Sequence, residues 1–186
     1  MARIFWMHLP MGGDIYFTQR AKINAHWQWQ RTTMKPDEII SRVTREMSGV
    51  VPKSSWGETS LFYNPGNMLP NGVYFCTIKE KDGANDKSSN LSRDGVFRLS
   101  IGVSKATYEK LFGERPKRPA KGDIVNTGHD FTQTNVLMPH PIYAWMSWVC
   151  VLSPSTEKFE EIHPLLEEAY GNAVTKFNRK VKGNQS

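Results

Sequence analysis

An α+β domain, an antiparallel sheet with helices packed on one face in the order α-β-β-β-α-β-α, is what this sequence predicts. Three observations carry that expectation. Residues 96–103, VFRLSIGV, alternate at the period of a strand with one buried face: Phe97, Leu99, Ile101 and Val103 point one way, Val96, Arg98, Ser100 and Gly102 the other. Near the C-terminus, Phe159, Ile162, Leu165, Leu166, Ala169, Ala173 and Phe177 form an apolar stripe at helical spacing. Between the first helix and that strand, Asn64-Pro65-Gly66, Asn71-Gly72 and Asp82-Gly83 cut the chain into short runs, as hairpin-connected strands require.

The elements follow in order. Residues 1–33 show no sustained period and mix Trp6, Trp27 and Trp29 with polar residues, so they read as an N-terminal extension. A helix starts at Pro36, whose fixed φ suits a first turn. Asp37 and Glu38 meet the positive end of its dipole, Ile39, Ile40, Val43 and Met47 repeat on one face, and Gly49 stops it. Strands are expected in ETSLFYNP (58–65), NGVYFCTIKEKDG (71–83) and GVFRLSIGVS (95–104). Ser104 then caps a short helix that ends at Gly113. Residues 114–135 form a loop too long for a simple connection, which marks it as functional or mobile. IYAWMSWVCVLSP (142–154) reads as the fourth strand. The final helix contains Pro164, so it either begins near that proline or kinks there. The whole reads as a single domain over 34–178, followed by a basic tail over 179–186.

Composition excludes several classes. Two cysteines, Cys76 and Cys150, rule out a disulfide framework, and their apolar surroundings predict buried, reduced thiols. The apolar N-terminus is interrupted by His8 and Pro10 and is too short to span a bilayer, so a cytoplasmic protein without membrane association is expected. The net charge is +6, but its basicity lies at the ends. Residues 1–33 and the run from Lys176 to Lys182 carry the surplus, leaving residues 34–175 at a net −1. Nucleic-acid binding through those ends is one reading; solvated ends are the other. There is no Gly-rich phosphate loop, dinucleotide fingerprint or nucleophile elbow. The five histidines show no metal-ligand spacing, so neither a metal nor another cofactor is expected.

Two features point to a site. In MPHPIY, Pro139 and Pro141 stiffen the backbone on both sides of His140 and aim its imidazole in one direction. Arg98 and Ser100 share a strand face with one pair from Trp145, Ser147, Met146 and Trp148, and a sheet covered on one side leaves that face open. Arginine beside tryptophan suits stacking and anion recognition. The bland alternatives are an Arg98 paired with a nearby Asp, and tryptophans covered by the long loop or by residues 1–33. The candidate site is Arg98, Ser100, Asp130, His140, Tyr143, Trp145 and Trp148, read as a binding module for a small molecule or a protein partner. An enzyme using His140 with Asp130 is the alternative. A concave, enclosed pocket around His140 would mark the enzyme, a broad and shallow Arg/Trp surface the binding module.

The blocks SNLSRDGVFRLSIGVSKATYEKLFG, HDFTQTNVLMPHPIYAWMSWVCVLSP and LLEEAYGNAVTKF resemble a bacterial family known only as a domain of unknown function. More remotely, the order of elements is similar to that of the YjbR-like proteins, which share the CyaY (bacterial frataxin) fold. That resemblance implies a sheet with helices on one side. Frataxins carry an acidic ridge for iron on the first helix; here Asp37, Glu38 and Glu46 stand beside Arg42 and Arg45, so the resemblance implies no iron site.

Overall fold

In the computed structural model, which describes residues 32–183, six strands form one antiparallel sheet flanked by three helices. In chain order these are α1 (Pro36–Glu46), β1 (Val50–Ser55), β2 (Glu58–Tyr63), β3 (Val73–Lys79), β4 (Arg98–Gly102), α2 (Lys105–Phe112), β5 (Leu137–Pro139), β6 (Trp148–Leu152) and α3 (Thr156–Gly183). The sheet order is β1-β2-β3-β4-β6-β5. The α+β class and the expected order of helices and strands hold. The expectations for Trp6, Trp27 and Trp29 lie outside the described residues.

Sequence patterning missed two strands, and both are sheet edges. β1 reads VVPKSS, with a proline inside it, and β5 is three residues ending in Pro139. An edge strand has one unpaired side, so it tolerates proline and needs little apolar alternation. The strand expected over 142–154 is also shorter than the pattern suggested. Ala144–Met146 form a 3-10 turn, Ser147 takes the left-handed conformation (φ 64°), and the ladder begins only at Trp148. Pro164 does not start the last helix but lies inside it. α3 runs continuously from Thr156, with the Ser155 hydroxyl accepting from Lys158 N at 3.1 Å, and it carries Arg179, Lys180 and Lys182 in its final turns.

The register sorts the sheet into two faces. Ile78 pairs with Leu99 and Cys76 with Ile101, and Leu99 and Ile101 in turn face Val151 and Val149. All six side chains are buried, and α3 packs over β2, β3 and β4 through Phe159, Ile162, Leu166, Ala169, Ala173 and Phe177. α1 adds Ile39, Val43 and Met47 to the same core. Arg42 holds the two helices together from outside, with Nη2 3.0 Å from Glu160 Oε2 and Nε 3.0 Å from Glu46 Oε1. Cys76 and Cys150 are buried free thiols, and burial pushes Cys150 up to about 12. Midway along α3, Glu168 accepts from Ser104 N (2.8 Å) and Thr107 Oγ1 (2.7 Å), which fastens the α2 N-terminus to the core.

The opposite face carries Glu58, Ser60 and Phe62 on β2, Tyr74, Thr77 and Lys79 on β3, Arg98 and Ser100 on β4, and Trp148 on β6. No helix covers it. Segments 83–86, 118–123 and 142–146 rise around it instead.

Candidate functional site

Those segments and the uncovered face enclose a cavity of about 870 Å³. Its base is the polar side of β2, β3 and β4, and its walls are aromatic: Phe62, Tyr74, Tyr143, Trp145 and Trp148. The size falls within the range of small-molecule sites.

Backbone geometry explains how two tryptophans three residues apart reach one cavity. A continuous strand would send Trp145 and Trp148 to opposite faces. The 3-10 turn and the left-handed Ser147 break that alternation, with Tyr143 O accepting from both Met146 N (2.9 Å) and Trp148 N (3.3 Å). Trp148 lies flat against β4 because its register partner is Gly102; a Cβ there would sit 3.0 Å from the indole ring. On its other side Trp148 stacks on Tyr74, with centroids 5.5 Å apart and planes 28° apart.

His140 is buried and lines the cavity. Its backbone is pinned at both ends: its N–H donates to Trp148 O (3.0 Å) and its carbonyl accepts from Ala144 N (3.1 Å). Nδ1 lies 3.1 Å from the backbone nitrogens of both Ile142 and Tyr143. Two N–H donors aimed at one ring nitrogen require a lone pair there, so the proton must sit on Nε2. Burial, reinforced by the positive charge of Arg98, holds the imidazole well below its ordinary pKa, which agrees with a neutral ring. Nε2–H has no hydrogen-bond partner among the described residues. One ring nitrogen thus holds the turn, and the other presents an N–H to the cavity.

Of the two readings of Arg98, an open face and a pairing with a nearby Asp, the second holds. Arg98 is 2% exposed, and its guanidinium clasps the Asp86 carboxylate with two nitrogens, Nη1 at 3.0 Å from Oδ1, while Nη1 also donates to Ser89 Oγ at 2.9 Å. Lys79 Nζ adds a third contact, 3.0 Å from Asp86 Oδ2, and lies 3.7 Å from Glu58. Burial alone would raise the Asp86 pKa, but the Arg98 hydrogen bonds and the two cations outweigh it and hold the carboxyl at about 2. The buried base of the cavity is therefore an internally neutralised network. Two donors within it, Arg98 Nε and Ser100 Oγ, are buried without an acceptor.

Of the residues expected from sequence, Arg98, His140, Tyr143, Trp145 and Trp148 line one cavity, and Ser100 lies beneath it on the same strand face. Asp130 does not join them. Its carboxylate accepts from Thr132 N (2.9 Å) and Thr132 Oγ1 (2.6 Å), and these bonds hold its pKa down at an exposed turn. Sequence reading missed Asp86, Lys79, Glu58, Tyr74 and Arg118. Asp86 sat unrecognised in the polar loop DGANDKSSN. Arg118 belongs to the basic stretch ERPKRPAK, a run of cations in the otherwise slightly acidic middle of the chain, which was the available signal. Its guanidinium lies 5.0 Å from the centre of the Trp145 ring.

A family model described as a family of unknown function (DUF6194) matches residues 34–182. The chain belongs to that family. No curated protein matches the chain, and neither does any solved structure. Among the described residues no group of three His, Cys, Asp or Glu side chains converges as a metal site, and no helix is long and apolar enough to cross a membrane.

Proposed function

We propose that this chain is a binding module that holds a small molecule in the cavity on the loop-covered face of the sheet. One observation carries the reading. His140 is locked as an Nε2–H donor at the wall of a cavity of about 870 Å³, with no acceptor for that proton among the described residues. Water can serve that donor while the cavity is empty, and a ligand acceptor that takes its place is fixed in orientation and contributes about 0.5–1.5 kcal/mol. The concave shape favours a small molecule over a macromolecule lying across a flat face.

By the criterion set from the sequence, a concave cavity lined by His140 favours the enzyme alternative over a shallow binding surface; the chemistry of the ring argues against catalysis. A general base needs a free lone pair on the side facing substrate and a partner that orients the ring. Here the lone pair is engaged by two backbone N–H groups, and Asp130 is hydrogen-bonded elsewhere. The likeness to YjbR-like proteins rests on element order and assigns no ligand.

Two substitutions at one position test the reading. His140→Asn leaves an acceptor where Nδ1 stands and removes the Nε2–H; His140→Gln does the reverse. In native mass spectrometry of the purified protein and thermal-shift screening of small molecules, the expected result is a ligand that His140→Asn weakens with little loss of stability. His140→Gln should instead cost stability, about 1–3 kcal/mol for the two backbone N–H groups left without an acceptor. A ligand whose affinity is unchanged in His140→Asn would remove the donor role.

A further inference from the structure

The cavity wall carries cations of two kinds. Lys79 and Arg98 at the base are committed to Asp86, and Lys79 also approaches Glu58. A ligand anion at that depth would have to displace Asp86 from a network whose carboxylate is strongly held. Arg118 at the mouth is different. It is exposed, it makes no ion pair among the described residues although Asp123 lines the same mouth, and its one recorded partner is the face of Trp145. Stacking orients a guanidinium while leaving its in-plane N–H donors open, which is the geometry that receives a carboxylate or phosphate. Lys121 follows three residues later on the same segment and also lines the cavity without an ion pair among the described residues.

The space between mouth and base is aromatic on several sides. Phe62 and the Tyr74–Trp148 stack form one wall, and Tyr143 and Trp145 come from the 142–146 turn. Flat rings favour a flat ligand. The deep end presents His140 Nε2–H, a neutral donor suited to a neutral acceptor such as a carbonyl, a hydroxyl or a ring nitrogen.

We propose that the ligand is a planar aromatic anion, its ring among these aromatic side chains, its neutral acceptor on His140 and its anionic group on Arg118. This rests on the small-molecule reading above and goes further by assigning ligand class, orientation and an anion-binding residue. The assignment moves anion recognition from the arginine on the strand, which is neutralised, to the arginine on the long loop.

Four probes test it on the full-length protein by isothermal titration: 6-hydroxy-2-naphthoate, its neutral carboxamide, 2-naphthyl phosphate and cyclohexanecarboxylate. The naphthoate should bind about tenfold more tightly than the carboxamide, the scale of one charge-assisted bidentate contact. Arg118→Gln should erase that difference by lowering the naphthoate affinity more than the carboxamide affinity. Arg118→Lys should restore only part of it, since lysine keeps the charge and loses the planar stack. Cyclohexanecarboxylate should bind far more weakly, and the phosphate probe shows which anion the mouth prefers. Equal binding of acid and amide, or equal losses for both in Arg118→Gln, would overturn the anion assignment while leaving the cavity a binding site. Cyclohexanecarboxylate binding as well as the naphthoate would overturn the aromatic part. No binding by any probe, together with no hit in the small-molecule screen, would overturn the cavity reading itself and this proposal with it.

Discussion

The two faces of β4 are made of the same five-residue strand and are buried almost equally, yet they are closed by different means. Leu99 and Ile101 are sealed under α3 by apolar contact. Arg98 and Ser100 are sealed under loops, with an ion pair, a serine and an aromatic rim. Burial alone therefore does not identify a core. On the helix face, every group put out of water is one that gains by leaving it. On the loop face, charges are taken out of water and compensated one by one, and Arg98 Nε and Ser100 Oγ are not compensated at all. A face assembled in that way contributes less to stability than its burial suggests and is specified by hydrogen-bond geometry instead.

The sharpest way to break the comparison is to empty each face in turn. Arg98→Met should cost about 3–5 kcal/mol in denaturant unfolding, because it leaves Asp86 buried with Lys79 as its remaining charged partner. Adding Asp86→Leu to it should recover much of that loss, since removing both charges also removes their desolvation cost. Leu99→Ala should cost about 2–5 kcal/mol, with no second substitution across the sheet to rescue it. If the Arg98/Asp86 double variant is no more stable than Arg98→Met, the loop face is held together by its ion pair in the way the helix face is held by packing.

Acid should separate the faces next. His140 is neutral when folded, while an unfolded histidine takes up a proton below about pH 6.5, so stability should start to fall as pH drops through that value. Asp86 is held at about 2 when folded, below its unfolded value near 3.9, so its contribution is present above about pH 4 and is lost between there and about pH 2. Unfolding measured from pH 7 to pH 2 should show the first slope vanish in His140→Asn and the second shrink in Asp86→Asn, the remainder belonging to carboxylates such as Glu160 and Glu168 that their partners also hold down. A first slope that persists unchanged in His140→Asn would show that His140 is not its source.

Two smaller effects refine the contrast. Gly102→Ala places a Cβ 3.0 Å from the Trp148 ring, so it should cost about 1–3 kcal/mol and shift the tryptophan emission as the indole moves off β4. Arg42→Ala should cost at most about 1 kcal/mol, because its carboxylate partners lie at the surface and are screened by solvent and salt; a larger loss would mean that α1 is held to α3 chiefly by charge.

The helix face was legible in the sequence and the loop face only in part, and the reason is physical. Periodicity reports burial by apolar matching, so Ile39 and Val43, the Phe97–Val103 strand and the stripe of α3 could be read directly. Polar closure has no period. The Arg98–Asp86 pair joins residues twelve positions apart through a loop whose composition predicts only exposure. Trp145 and Trp148 reach one cavity through a left-handed serine, and nothing in WMSW marks Ser147 for that conformation. The stiffness of Pro139-His140-Pro141 was readable; that Nδ1 accepts from the two N–H groups just after it depends on the turn formed at residues 140–144.

Both margins of the sheet carry a proline. Pro52 lies within β1 and Pro139 ends β5, and each removes one N–H from a row that an incoming strand would otherwise use. β5 is also only three residues long, and Lys53 beside Pro52 would bring a charge into any ladder added there. Sheet-to-sheet growth between copies is thus discouraged at both ends, during folding as well as afterwards. A chain that keeps an aromatic hollow open to water needs such protection, because its sticky surface is then confined to a recess that another backbone cannot extend.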